Sequence, residues 1–389
     1  MYFDNSATTR VSEQAAAAAL RAMREDYGNP SSIHGKGVAA FHALSEARAS
    51  LARLLHVAAD ELYFTSCGTE SNNIVLHGAA RLAGKQGKIL ISAVEHPSVH
   101  ETAKRLAGLG YQLELIPVSA EGVFDPDALE PLLDEQTILV SIMHVNNETG
   151  AIQPLRQAGQ LIRRLSPRAL FHVDAVQSFG RLPLPLADWQ ADAVTMSGHK
   201  IHAPKGIGLL WLRAGVNLPS LMQGGGQERG LRSGTENMSG IMAFVAAAEE
   251  CYSRMELHGE AIAQVRDVFL SELRRGLPQL LLNGPADEHA VSHILNISLP
   301  GVRSEVLLHS LEMKGLYVSA GSACTSRSTR GSRILQAMGL PKERVDAAIR
   351  CSFSRYNTPE EAVQAAGLIV ETVNELSGLI NLGKRKGRK

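Results

Sequence analysis

A chain of 389 residues is longer than one hydrophobic core usually serves, so two domains are expected. Hydrophobic residues make up 44% and charged residues 20%, an ordinary globular composition, and Lys plus Arg balances Asp plus Glu at 39 each. That balance gives no reason to expect nucleic acid or an anionic membrane as a partner, and no run approaches the roughly 20 apolar residues of a membrane span. In chain order, residues 12–25 read as a helix with Ser12 as N-cap and an alanine run behind it. Gly28–Ser32 is a loop by composition, and residues 36–56 return to helical period. From residue 61, short apolar strands alternate with helical stretches. The strands are Glu61–Thr65, Lys88–Ala93, Gln112–Ile116, Ile138–His144, Leu170–Val173, Ala193–Met196 and Gly208–Leu212. That alternation predicts an α/β domain with a largely parallel sheet. Residues 236–275 read as a long helical connection. Strand-like His293–Leu299 and Tyr317–Ser319 and helices at 304–314, 332–338 and 359–378 predict a smaller C-terminal α/β domain. The expected division is 12–250 for the large domain, 1–11 plus 251–382 for the small one, and 383–389 as a basic tail without pattern.

Ligands of parallel α/β sheets bind at the carboxyl ends of the strands. Polar clusters stand just past those ends: Ser66–Asn73, Glu95–His96, Asn146–Gly150, Asp174–Gln177 and Ser197–Lys200. Lys200, in the turn Ser197-Gly198-His199-Lys200, is placed to form an imine with an aldehyde. Asp174 can pair with a protonated pyridine nitrogen, and Gln177 can donate to a phenolic oxygen of the same ring. Ser66-Cys67-Gly68-Thr69-Glu70 leads into a helix, where free amides make a phosphate cradle that Ser197 and His199 can supplement. His96 can stack on a flat ring and move protons. Taken singly, each feature has a commoner structural explanation: a loop lysine, a helix-capping aspartate, a capping turn, a satisfied core histidine.

Together these signals resemble the fold-type I pyridoxal-phosphate enzymes of the class V aminotransferase group. More closely, the chain resembles the cysteine desulfurases of iron–sulfur cluster assembly and tRNA thiolation. The matching stretches run almost end to end: Asp4-Asn5-Ser6-Ala7-Thr8-Thr9, Gly28-Asn29-Pro30-Ser31-Ser32, Thr69-Glu70-Ser71-Asn72-Asn73, His144-Val145-Asn146-Asn147-Glu148-Thr149-Gly150, Arg232-Ser233-Gly234-Thr235 and Gly321-Ser322-Ala323-Cys324-Thr325-Ser326. The resemblance implies a large, mostly parallel sheet domain with a smaller C-terminal α/β domain, and pyridoxal 5'-phosphate on Lys200 as a Schiff base. It implies Asp174 at the pyridine nitrogen, Gln177 at the phenolic oxygen, and His96 on the ring face. Gly68, Thr69, Ser197 and His199 would hold the phosphate, and Asn147 would lie near the ring and the substrate carboxylate. Thr235 would reach the phosphate of a second subunit, which implies a homodimer. L-cysteine would be converted to L-alanine, and the sulfur passed to an acceptor protein such as an iron–sulfur scaffold or a tRNA-thiolation enzyme. No membrane or direct nucleic-acid contact is expected.

The four cysteines, Cys67, Cys251, Cys324 and Cys351, are widely spaced and without metal-ligand spacing. No basic region followed by an apolar core opens the chain, so a cytoplasmic protein with free thiols is expected. Cys324 stands in a small, polar, glycine- and serine-rich run that reads as a mobile loop, and nearby Arg327 favours thiolate. It is the expected sulfur acceptor. Cys251 reads as structural, Cys67 as part of the phosphate loop, and Cys351 as part of a strand with one face inward. Arg350 is the expected anchor for the substrate carboxylate, since a guanidinium binds a carboxylate bidentately. Arg355 competes but reads better as a surface ion pair. The stretch after Cys324 is rich in arginine (Arg327, Arg330, Arg333), and His202-Ala203 stand where the family usually has tyrosine and glycine. A transaminase or selenocysteine lyase on the same scaffold is the nearest alternative, and a non-catalytic docking protein a more distant one. An accessible thiol argues against the transaminase. Intact Lys200, Asp174 and Cys324 argue against the docking protein.

Overall fold

The structure is a computed structural model that describes residues 1–83, 87–321 and 331–386, with side chains described through residue 377. The large sheet holds β1 (Leu62–Thr65), β2 (Lys88–Ser92), β3 (Gln112–Ile116), β4 (Thr137–Ser141), β5 (Leu170–Asp174), β6 (Ala193–Ser197) and β7 (Gly208–Leu212). Their spatial order is β1-β7-β6-β5-β4-β2-β3. The pairs β2–β3, β2–β4, β4–β5 and β5–β6 are parallel, while β7 runs antiparallel to both β6 and β1. Strands β2, β5, β6 and β7 are apolar-rich because helices cover both faces of the sheet. β3, at the edge, keeps Gln112 and Leu115 exposed.

The helices before β4 are α1 (Glu13–Arg24), α2 (Gly35–Leu55), α3 (Gly68–Leu82), α4 (Pro97–Ala107) and α5 (Pro126–Leu129). Between β4 and the small sheet come α6 (Leu155–Leu165), α7 (Leu186–Trp189), α8 (Met238–Ser253) and α9 (Met255–Gly276). Ser12 caps α1, its hydroxyl accepting from the Ala15 amide at 3.2 Å. The alanine run buries Ala15, Ala19 and Ala22 at helical spacing, which lets α1 lie closely on α8. The expected single connection over 236–275 is two helices, broken at Arg254, whose φ of −135° leaves the α region.

The small sheet is antiparallel, in the order β10 (Ala348–Ser352), β9 (Ile294–Ser298), β8 (Leu281–Leu282). Around it lie α10 (Ser304–Met313), α11 (Arg333–Ala337), α12 (Lys342–Asp346) and α13 (Pro359–Lys386). The Phe3, Phe269 and Phe353 rings meet at 5.5–5.6 Å in a separate apolar core, which ties the N-terminus to this sheet.

Three local expectations need correction. Tyr317–Ser319 makes only isolated bridges, to Tyr2 and Arg350, and is not a strand. All five residues of β10 are buried, so Cys351 does not sit on a strand with one wet face. Helix α13 continues through Gly383–Lys386, where a patternless tail was expected. A single glycine costs a helix about 1 kcal/mol, and the lysines and arginine after it are good helix formers favoured near a C-terminus. Among the described residues, no helix is long and apolar enough to cross a membrane.

Candidate active site

Because β1 pairs antiparallel with β7, and β7 with β6, β1 points the same way as the parallel strands. The carboxyl ends of β1, β2, β4, β5 and β6 therefore share one edge, and a cavity of about 240 Å³ opens there. It is lined by Lys200, Asp174, Gln177 and His96, by Gly68, Thr69, Ser197 and His199, and by Asn147 and Arg350. Residues drawn from positions 68 to 350 thus face one space.

Lys200 follows β6 in a short 3-10 turn, and its Nζ donates to the carbonyls of Ser6 and Ala7 at 2.5 and 2.8 Å. Asp174 ends β5 and is 4% exposed. Its Oδ2 accepts from Asn72 Nδ2 at 2.8 Å, and its Oδ1 from the Val176 amide at 3.0 Å. Asn72 also donates to Ser98 Oγ at 2.8 Å, and Ser98 bonds His96 Nδ1 at 2.8 Å. The aspartate and the histidine are thus held by one network. His96 caps α4, and burial lowers its pKa, so its ring is neutral at physiological pH. Burial, then the charges of Lys200 and Lys205, push His199 down to about 3.

At the start of α3 no side chain caps the first-turn amides. A Cβ on Gly68 would stand 2.8 Å from Val176 Cγ2, so only glycine fits there without a shift. We predict that Gly68→Ala costs about 1–3 kcal/mol by overpacking against a stiff β-branched side chain. Gly35→Ala, where a Cβ meets nothing within 4 Å, is expected to be neutral or stabilising. Urea unfolding of the two variants checks both.

The polar atoms left without partners point to what the cavity accepts. Ser6 Oγ, Asn72 Oδ1, Asn147 Oδ1, Gln177 Oε1, Ser197 Oγ and Arg350 Nε are buried and unpartnered, and all six residues line this space. Buried polar groups are rarely left so, and their convergence marks a polar ligand. The uncapped amides, Ser197 and His199 suit a phosphate, and the Asp174 carboxylate suits a protonated ring nitrogen. The residues present therefore fit pyridoxal phosphate.

Arg350, 2% exposed on β10, donates to the Asn147 carbonyl at 2.8 Å and to Asp4 Oδ1 at 2.9 Å. Arg355 lines a different cavity and pairs with Glu250 at 2.7 Å. Its side chain is only 7% exposed, so the expected surface ion pair is a buried one. Thr235 is exposed on the loop after β7 and does not line the cavity of its own chain. Cys324, Arg327 and Arg330 lie outside the described residues. Arg333 opens α11 and donates to the Ala93 carbonyl at 2.6 Å and to the Glu95 carbonyl, so it is bound to the β2–α4 turn rather than free in a loop. Cys67 lines the cavity, and Cys251 is buried in α8 with its thiol pushed up by burial.

The sequence alone gives Asn72, Ser6 and Asp4 no role. Asn72 lies four residues after Gly68, one turn further along the same helical face, and that spacing was an available signal. Nothing in the local sequence links Asp4 to Arg350, 346 residues away.

The class-V aminotransferase family matches residues 1–365 of the chain. The chain belongs to that family. Among its relatives, a cysteine desulfurase IscS of Methanosarcina thermophila is 37% identical over 389 residues, covering 100% of this chain and 95% of the relative. Cysteine desulfurase 2 of Trichormus variabilis is 40% identical over 387 residues, covering 98% and 96%. A solved NifS-like protein superposes with a TM-score of 0.91 at 37% identity, over 96% of this chain and 99% of that one. A structure of SspA in complex with cysteine matches with a TM-score of 0.80 at 29% identity, over 92% and 99%. Within the family the chain is therefore a cysteine desulfurase, and its fold is that of the NifS-like enzymes. No finding favours the transaminase or selenocysteine lyase.

Proposed function

We propose that the cavity holds pyridoxal 5'-phosphate and that the enzyme takes sulfur from L-cysteine, leaving L-alanine and a persulfide on Cys324. The observation that carries this reading is the convergence of six unpartnered buried polar atoms on the cavity that Lys200, Asp174 and the α3 N-terminus share. When bound, the cofactor supplies an electron sink for the bond broken at the substrate's Cα.

The chain's own residues do the rest. Lys200 would hold the cofactor through its Nζ and, when free, would take the α-proton of the substrate on that atom. Asp174 keeps the ring nitrogen protonated, and Asn72 holds that carboxylate in place. Gln177, whose Nε2 donates to the Ser6 carbonyl at 3.0 Å, would stand at the phenolic oxygen, and neutral His96 would cover the ring face. Gly68, Thr69, Ser197 and His199 receive the phosphate. The Cys324 thiolate attacks the substrate sulfur. A sulfur–sulfur bond forms, the carbon–sulfur bond breaks with its electron pair going to carbon, and protonation completes alanine. An acceptor thiol, on an iron–sulfur scaffold or a tRNA-thiolation enzyme, then collects the outer sulfur. Thr235, exposed on its own chain, would complete the phosphate site of a partner subunit in a homodimer. A cytoplasmic setting suits reactive thiols.

Purified enzyme given L-cysteine and a reductant should release alanine and sulfide in equal amounts without a keto acid. Alanine formation that requires a keto acid would overturn the reading.

Arg350→Ala should raise KM for L-cysteine by about 30-fold or more with cofactor content unchanged, because a charge-assisted bidentate contact contributes about 2–3 kcal/mol. Steady-state kinetics of Arg350→Ala and Arg355→Ala compare the two candidates. A larger KM effect for Arg355 would move the anchor there.

A further inference from the structure

Behind the Lys200 turn lies a second cavity, of about 80 Å³, which the reaction above does not use. Its walls carry Arg181, Arg355, Cys251, His202, His258 and His293. Arg181 donates from Nη2 to the Lys200 carbonyl at 2.8 Å, but its Nη1 is buried and has no partner. Arg355 reaches Glu250 at 2.7 Å and Cys251 Sγ at 3.5 Å, but its Nε is likewise buried and unpartnered. Two guanidinium groups thus bring orphaned donors to one small space. An unmet buried donor on a charged group costs more than a neutral one, so the arrangement calls for an acceptor.

The charge count points the same way. Burial lowers Arg181 to about 10, which leaves it charged at neutral pH. Burial pushes the Cys251 thiol up, and it stays neutral. Burial holds His202 at about 3 and lowers His258 and His293, so none of the three adds charge. Glu250 compensates one arginine, and one positive charge is left over. Helix α9, 22 residues long, starts at this cavity with Met255 in the wall and no side-chain cap on its N-terminus. Its dipole adds to the positive potential.

We propose that this cavity binds a small monovalent anion of the halide class, held between the Arg181 and Arg355 guanidinium groups. The space suits a compact ion, and a single negative charge balances the surplus. Through the Arg181–Lys200 hydrogen bond the anion would fix the back of the turn that carries Lys200. The inference does not depend on the reaction proposed above, because binding is read without substrate.

Bromide is the probe. Crystals of the full-length enzyme soaked in sodium bromide should show an anomalous peak in contact with Arg181 Nη1 and Arg355 Nε. In solution, bromide should raise the melting temperature by about 1–3 °C and saturate, relative to sodium gluconate at equal ionic strength. Gluconate is too large for the cavity. Arg181→Met and Arg355→Met should each lose the bromide-specific increment, while Arg181→Lys keeps part of it. Should either methionine variant fail to fold, the wild-type crystal decides. Water-only density at the two arginines, or equal melting temperatures in bromide and gluconate, would overturn the proposal.

Discussion

Lys200→Ala is expected to abolish turnover, with a loss of at least about 10³-fold, because in the proposed reaction one side chain both attaches the cofactor and moves the α-proton. Among the described residues, Lys200 is the lysine that lines the cavity. Lys200 sits at the end of β6 with its Nζ directed at the Ser6 and Ala7 carbonyls on the cavity wall. Lys205, five residues on, is exposed and does not line the cavity. Its stem would have to re-enter the protein past the buried Ile201–Ala203 stretch to reach the same space. Borohydride reduction of the wild-type enzyme followed by peptide mapping should therefore place the label on Lys200. A label on Lys205, or a Lys200→Ala enzyme that still releases alanine at the wild-type rate, would remove the assignment.

Strand ends were legible in the sequence because buried parallel strands are short apolar runs that stop at polar turn residues. Gln112–Ile116 and Gly208–Leu212 match their strands residue for residue, and Asp174 and Ser197 close β5 and β6 where ligands of such sheets bind. The residues that steady those groups were less legible. Asn72 matters only because α3 lies across the end of β5, and Asp4 only because the N-terminus returns to β10 through the Ser352 bridge. Burial of Arg355 was also hidden. An arginine after a strand looks like a surface charge until α8 brings Glu250 and Cys251 against it. The break at Arg254 left no mark either, since the residues on both sides keep helical periodicity.

Cys324→Ser should retain the cofactor and still bind L-cysteine, yet lose alanine release by at least about 10²-fold. In the proposed reaction neither binding step uses the thiol, whereas sulfur abstraction does. A serine hydroxyl is far less ionised than a thiol at neutral pH and attacks sulfur poorly. Cys324 itself lies outside the described residues, whereas Ser319, Gly321 and Ser332 on either side of it are described. Ser319 exchanges both backbone hydrogen bonds with Arg350, at 3.0 and 2.7 Å. Ser332 donates to the Glu148 carboxylate at 2.5 Å, and a Cβ on Gly321 would lie 3.3 Å from Ser332 Cβ. Both flanks of the segment therefore start beside the Asn147–Glu148 turn, whose Asn147 lines the cavity with Arg350. Alanine assay under multiple turnover reads the rate, and alkylation with mass spectrometry reads the persulfide on the wild-type enzyme. Unimpaired alanine release by Cys324→Ser, or a persulfide found on Cys67 instead, would mean that another group accepts the sulfur. Cys67 is the sharpest competitor, because among the described residues it is the thiol that lines the cavity. A parallel Cys67→Ser enzyme that keeps wild-type turnover would close that route.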